Sequence, residues 1–451
     1  MRHSEGPIEA AEDARARIAG LTTEGWCAVT GRPTNWAGNV VYRADRVHRP
    51  RSVDELQDLV SGSHQVRALG SGHSFNRIAD TAGVLVSVAD LPPVMDIDPD
   101  RATVTVGAGI RYGELAQRLH AEGWALHNLA SLPHISVGGA CATATHGSGN
   151  ANGNLATAVA AIEMITADGD RAVLRRDADG DHFRAAVVSL GAFGIVTKLT
   201  LDIIPDFDVQ QYVYDDLPGE QLTAHFEEIF SSAYSVSVFT RWQGPRHRLL
   251  WLKRRIGEDG SWKPEPQWMG AKLANQPRHP IPGEPAGYAT QQLGVPGPWH
   301  ERLPHFRLDF TPSSGAEIQS EYLLARHVAA DALEAVAGLG ERIAPLCLIS
   351  EVRTVAADDL WMSPSYQRDT VALHFTWIDD IAAVTPAAAA IEDRLAPLGA
   401  RPHWGKLFTL PAAAVNARYE RSPDFRALLG RVDPAGKFRN DFIDRYFPAA
   451  G

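Results

Sequence analysis

The segment Arg67-Ala68-Leu69-Gly70-Ser71-Gly72-His73-Ser74-Phe75-Asn76 places a histidine directly behind two glycines. Glycine reaches positive φ and carries no side chain, so Gly70-Ser71-Gly72 suits a tight turn whose main chain approaches an anion closely. It is not a dinucleotide fingerprint, because Phe75 stands where G-x-G-x-x-G needs its third glycine. A phosphate-holding loop of another kind is expected, and the motif alone leaves the task of His73 open.

A second stretch has similar texture. Between Ser131 and Gly153 lie Gly138, Gly139, Gly147 and Gly149, interleaved with Ala140, Ala142 and Ala144 and with the hydroxyls of Thr143, Thr145 and Ser148. Such a run lets main-chain N–H and hydroxyl groups press against a flat or phosphorylated ligand. It equally suits a packed turn beneath a helix. Two such stretches in one expected domain favour a large phosphorylated cofactor. Further along, Glu351 and Arg353 are two apart, as are His374 and Thr376. On strands, each pair shares a face. Read alone, Glu351 and Arg353 also suit a structural ion pair.

Other chemistries lack their residues. His300-Glu301…His305 is one residue too long for H-E-x-x-H and contains Pro304. There is no G-x-S-x-G elbow and no G-x-x-x-x-G-K-[ST] loop. His127, His134 and His146 are close in sequence, but no cysteine or carboxylate completes a convincing metal set with them, so no metal is expected. The cysteines, Cys27, Cys141 and Cys347, form neither a paired framework nor C-x-x-C.

The elements that must position these residues suggest an α+β chain. "SVDELQDLV" opens with a capping box, Ser52 and Glu55, and reads as a helix; "RYGELAQRLHAEG" reads as a second. Between and after them, "QVRALGSG", "GVLVSV", "ATVTVGAG", "AIEMITADGD", "RAVLRR" and "GIVTKLTLDIIP" have strand character. After Pro205 a second unit begins, with strands "FDVQQYVYDDLP" and "YSVSVFTRW" flanking a helix "EQLTAHFEEIF". A long Pro-, Gly- and Trp-rich loop from about 255 to 300 precedes the helix "ALEAVAGLGERIA" and the strand "TVALHFTWI". Length 451, 45% hydrophobic and 22% charged residues fit a folded protein of two or three domains. The net charge of −11 gives no general attraction to nucleic acid or anionic membrane. No apolar run reaches membrane-spanning length and the first residues are no recognisable secretory signal, so a cytoplasmic protein is expected.

Taken in order, "NWAGN", "GSGHSFN", "ASLPHISVGGACATATHGSG", "GVPGPWHERLPHFR", "EVRTVAADDLW", "HFTW" and "RPHWGK" resemble the flavoprotein oxidases of the vanillyl-alcohol oxidase class, and within it the alditol oxidases. The resemblance runs from Asn35 to the C-terminus. It implies the two-domain FAD-binding fold of that class, with a PCMH-type FAD domain and a substrate domain built on a large antiparallel sheet. The implied division is 1–33 as a mobile extension, 34–205 as FAD domain, 206–395 as substrate domain, and 396–451 returning to the FAD domain. It implies FAD bonded covalently through His73, once only, since the loop around "SLPHIS" offers no cysteine for the second link of berberine-bridge-type relatives. Ser71, Gly72, Ser74, Ser131, Ser136, Gly139, Thr143, Ala144, Thr145 and His146 are implied to line FAD. Ile195 would meet the adenine part through its backbone, and His403 the flavin. Ser131, Glu351, Arg353, His374, Thr376 and Lys406 form the implied substrate site. Arg353 and Lys406 would stabilise a developing alkoxide, and Glu351 would accept hydrogen bonds from hydroxyls. Ser350 would tune the pocket. The implied reaction converts the primary alcohol of xylitol, sorbitol or a similar polyol to the aldose, with O2 reduced to H2O2. The partners are then polyol and O2, with a monomeric chain. An aldonolactone oxidase or dehydrogenase of the same class is the alternative, and a flavin-binding module without activity a third.

Overall fold

The computed structural model describes residues 31–257, 262–309 and 316–449. The expected extension 1–33 therefore lies almost wholly outside the described residues. The first lobe holds a five-stranded antiparallel sheet in the order Met95–Asp98, Thr103–Gly107, Ile195–Asp202, Val159–Ile165, Arg171–Arg175. Along Ile195–Asp202 buried and half-buried residues alternate strictly, because one face meets the core. A small parallel sheet lies beside it, with Val84–Val86 between Val47–His48 and Val66–Ala68. The Gly70–Ser74 loop leaves this sheet directly after Ala68. The helix Val53–Ser61 starts where the capping box places it, and Ser52 Oγ accepts from the Glu55 N–H at 3.1 Å.

The second lobe is a ten-stranded sheet. Its centre runs Arg246–Arg255, Ser235–Thr240, Cys347–Val355, Thr370–Ile378, Glu317–Ala325 and Arg401–Pro402, each antiparallel to the next. On one face Val371, Leu373, Phe375 and Trp377 join Ile318, Tyr322 and Leu324 under the helices Ala329–Ala337 and Ile381–Leu395. The opposite face turns toward the first lobe and carries the polar residues. The strands are thus buried on both sides, one apolar and one polar. The proline-rich stretch after 255 contributes the short strands Gln267–Trp268 and Ala271–Leu273 at the sheet's edge.

The chain after Ala400 folds back onto the first lobe. Trp404, Tyr419, Phe425, Ile443 and Phe447 share one hydrophobic core with Val104, Leu119 and Leu199. Arg67 joins the two parts. Its buried guanidinium donates to the carbonyls of Gly191 (2.8 Å), Phe438 (2.7 Å), Ile78 (2.5 Å) and Leu190 (2.7 Å). Among the described residues no helix is long and apolar enough to cross a membrane.

Removing the guanidinium leaves buried carbonyls from three chain segments without their donor. Charge-assisted hydrogen bonds contribute about 1.5–3 kcal/mol each, so Arg67→Met should lower unfolding stability by at least about 3 kcal/mol. Chemical denaturation followed by fluorescence measures this, and a loss under about 1 kcal/mol would show that Arg67 does not carry the junction.

Candidate active site

The site begins at the glycine loop. Gly72 has φ +69, which favours glycine, and a Cβ on Gly70 would stand 2.5 Å from Ser136 Oγ. Ser71 N–H donates to Ser136 Oγ, and Ser136 N–H to Ser71 Oγ, both at 3.2 Å, locking the loop to the second small-residue stretch. Gly138 packs equally closely, since a Cβ there would meet Ala108 Cβ at 3.0 Å. Between these segments runs a cleft of about 600 Å3. The main-chain N–H groups of Gly72, His73 and Ser74 find no acceptor among the described residues and border it. An elongated cleft lined by glycine and hydroxyl side chains, with free main-chain donors, fits a dinucleotide such as FAD.

His73 stands where this cleft meets a second cavity of about 190 Å3, and it lines both. Its ring stacks on Trp36 with centroids 5.0 Å apart, and Nδ1 lies 3.0 Å from the Ser71 carbonyl. Burial, aided by the nearby Lys406 charge, pushes the imidazole down to about 3, so it is neutral.

The polar face of the large sheet forms the second cavity's wall. Strand register places Phe239, Glu351, His374 and Glu321 in one row, and the His403 N–H continues it to the Glu321 carbonyl at 2.9 Å. Thr376 and Gln319 oppose one another in the next row. Arg353 lies at the centre. It donates to Glu321 Oε1 at 2.5 Å, and its Nε is 3.6 Å from Glu351 Oε2. A second nitrogen, 3.4 Å from both Ser131 Oγ and the His146 carbonyl, reaches the first lobe. Burial disfavours both carboxylate charges, but Arg353 outweighs it and holds Glu351 and Glu321 well below the usual range. Burial also opposes the guanidinium charge, which the two carboxylates raise above its ordinary value. Lys406 donates to Gln319 Oε1, and burial pushes its ammonium down to about 8. His146 Nε2 is 3.3 Å from Glu321 Oε1.

The structure brings most of the expected residues together. Ser71, Gly72, Ser74, Gly139 and Thr143 line both cavities, and Ser136 the larger. Ser131, Thr145, His146, Glu351, Arg353, His374, Thr376, His403 and Lys406 line the smaller. Two residues contribute no side chain. Ala144, with φ +54, is packed into the first lobe's core, and Ile195 points into a separate core with Leu56 and Val60. Its neighbours Gly194 and Val196 border the cleft. Ser350 does not reach the pocket either. It lies on the opposite face from Glu351, and its hydroxyl donates to the His374 carbonyl at 2.6 Å. The sequence reading missed Glu317, Gln319 and Glu321, which line the cavity from one strand. Their i, i+2 spacing in "EIQSEYLLA" is the same signal that marked Glu351 and Arg353. It also missed His305, whose Nε2 is 2.7 Å from Glu351 Oε1.

Family models agree with this geometry. An FAD binding domain model matches residues 44–175, and a D-arabinono-1,4-lactone oxidase model matches residues 317–446. The chain is 53% identical over 414 residues to an alditol oxidase from a Streptomyces sp., covering 91% of this chain and 97% of that protein. It is 30% identical over 439 residues to an L-gulono-1,4-lactone dehydrogenase of Mycobacterium tuberculosis, covering 91% and 98%. The fold is that of cholesterol oxidase from B. sterolicum, with a TM-score of 0.73 at 16% identity over 92% of this chain and 96% of that one. An FAD-sized cleft that opens at His73 onto a buried polar cavity, together with the extent of the likeness to the Streptomyces protein, shows that the chain belongs to the alditol oxidase family of FAD-dependent oxidoreductases.

Proposed function

We propose that this protein oxidises the terminal primary alcohol of a sugar alcohol such as xylitol or sorbitol to the aldose, reduces O2 to H2O2, and carries its FAD on His73. Residues 34–205 with 396–451 then hold the cofactor, and 206–395 supply most of the polyol site. The carrying observation is the row of buried donors and acceptors that leads away from His73 across the large sheet. A polyol loses water from every hydroxyl on entering, so it needs a partner at each carbon. FAD held in the larger cleft would supply the hydride acceptor and the route of the electrons to O2.

The chain's own residues do the rest. Lys406 and Arg353 bind the reacting hydroxyl and gain most as its oxygen takes on alkoxide character while its proton leaves, that proton and the hydride together completing the H2O2 formed. Glu351, His374 and Thr376 receive hydroxyls further along, and Ser131 fixes register from the other lobe. His73 Nδ1, beside the Ser71 carbonyl, carries the ring proton, which leaves the Nε2 lone pair free for the flavin methyl group. One link is expected. Cys141 borders the cleft, but burial pushes its thiol up to about 12.

Anaerobic titration with a panel of polyols should bleach the flavin at low concentration, whereas gulonolactone should not; the reverse pattern would assign the lactone chemistry of the Mycobacterium relative. Acid-precipitated protein should remain yellow, and His73→Ala should release its flavin on the same treatment. Free flavin from the wild-type precipitate would remove the covalent link. Lys406→Ala should slow flavin reduction by roughly a hundred- to a thousandfold, as loss of one donor to a developing oxyanion does. A near-normal limiting rate with only weaker binding would leave the alkoxide role to Arg353.

A further inference from the structure

Lys253 lies on the strand Arg246–Arg255 and is 1% exposed. Its Nζ is within hydrogen-bond distance of three acceptors: the Leu303 carbonyl (2.5 Å), the Pro304 carbonyl (3.0 Å) and His305 Nδ1 (3.0 Å). An ammonium has three N–H groups and no lone pair, so it donates to all three when His305 Nδ1 is a bare acceptor, whereas a neutral amine would donate to the two carbonyls and accept from an Nδ1–H; the contact of Nε2 with Glu351 separates the two. Burial pushes the His305 imidazole down to about 4, so the ring is neutral and carries one proton. With Nδ1 accepting, that proton is on Nε2, which donates to Glu351 Oε1 at 2.7 Å. The other tautomer would turn a ring lone pair against a carboxylate at the same distance. Phe239 and Trp251 pack edge-on against the ring, each with centroids 5.3 Å away, and leave its orientation to the two hydrogen bonds. Arg353 holds the second Glu351 oxygen.

We infer that Lys253 and His305 are a positioning pair for Glu351: the Lys253 ammonium selects the His305 tautomer whose Nε2–H orients the carboxylate toward the polyol. Lys253 does not line the cavity and acts only through His305. The inference rests on the polyol reading for its substrate, and on hydrogen-bond geometry for the tautomer.

The test uses the flavin-loaded full-length protein at pH 6, below the value of about 7 to which burial pushes Lys253. Rapid anaerobic mixing with xylitol gives the limiting reduction rate and the half-saturating concentration. Lys253→Met should raise the half-saturating concentration by about tenfold. The limiting rate should change by no more than about threefold. In a His305→Gln background the same Lys253→Met change should cost less than about twofold, because the amide N–H donates to Glu351 without a tautomer to select. An equal cost in both backgrounds overturns the inference. Should Lys253→Met not accumulate, His305→Phe against His305→Gln decides: the donor-less ring must weaken xylitol binding more than the amide does, and equal losses overturn the pairing. Spectra of 15N-labelled histidine give a readout without turnover. The resonance missing from His305→Gln should show an Nε2–H imidazole in the wild type and move toward Nδ1–H in Lys253→Met. A wild-type Nδ1–H signal ends the inference even if polyols are oxidised. A wild-type flavin that no polyol bleaches ends the polyol reading, while the spectra still decide the tautomer.

Discussion

A guanidinium shut away from water must be neutralised where it stands, and Arg353 meets that constraint by joining both lobes. Glu351 sits on its own strand and Glu321 two strands away, and both are within ion-pair reach. Breaking one buried pair leaves an uncompensated charge and costs about 3–5 kcal/mol. The same side chain approaches Ser131 and the His146 carbonyl in the first lobe. The backbone repeats the junction, with Gly149 N–H donating to the Thr354 carbonyl at 2.9 Å. The glycine- and alanine-rich stretch is therefore held from one side by the small sheet's loop and from the other by the charge cluster. The larger cleft and the smaller cavity are thus joined through the same residues.

The returning C-terminal segment brings Lys406 to His73 by a similarly local device. Asn76 Nδ2 donates to the carbonyls of Trp404 (2.7 Å) and Lys406 (2.8 Å), and Phe75 N–H to that of Gly405 (2.8 Å). Three residues after the histidine, one amide thus binds the turn after Arg401–Pro402, more than three hundred residues away in sequence. The proximity has a chemical consequence. Burial and the Lys406 charge together keep the imidazole neutral, the state that the proposed bond to the flavin requires. Burial in turn lowers Lys406, which still keeps its proton near neutrality.

Local signals were legible wherever a residue's role is decided by its neighbours in sequence. The capping box placed the helix at Val53–Ser61, and alternation placed the strand Thr370–Ile378. Helix breaks were less legible. "EQLTAHFEEIF" is two short helices split at His225, where φ −120 leaves the helical region, and "ALEAVAGLGERIA" breaks after Ala337 at Gly338 and Leu339. The helix Ile381–Leu395 was not among the elements read from the sequence; Pro386 lies in its second turn, and Asp380 caps its start with bonds from Ala382 and Ala383. At the site, motifs with a family pattern marked His73, Glu351, Arg353 and Lys406. Lys253 carried no pattern, and His305, though inside "GVPGPWHERLPHFR", carried none that assigned it a role, because their partnership depends on a strand and a loop that meet only in three dimensions.

The cluster's charge also constrains what can enter. The smaller cavity is lined by Glu317, Glu321 and Glu351 against Arg353 and Lys406, with Lys253 as a third cation behind His305. A site that must bind an acid keeps a surplus cation, and the free protein then bears its desolvation cost. Here the pairs satisfy one another before any ligand arrives: Arg353 with Glu321, Lys253 through His305 with Glu351, and Lys406 through Gln319 with Glu317. Such a site has hydrogen bonds to offer and no surplus cation, which suits the proposed neutral, hydroxyl-rich substrate better than a sugar acid. The charge that does appear belongs to the reaction. In the proposed reaction negative charge arises on the oxygen as its proton leaves and is consumed as hydride departs, and Lys406 and Arg353 would favour that alkoxide-like oxygen over the neutral hydroxyl.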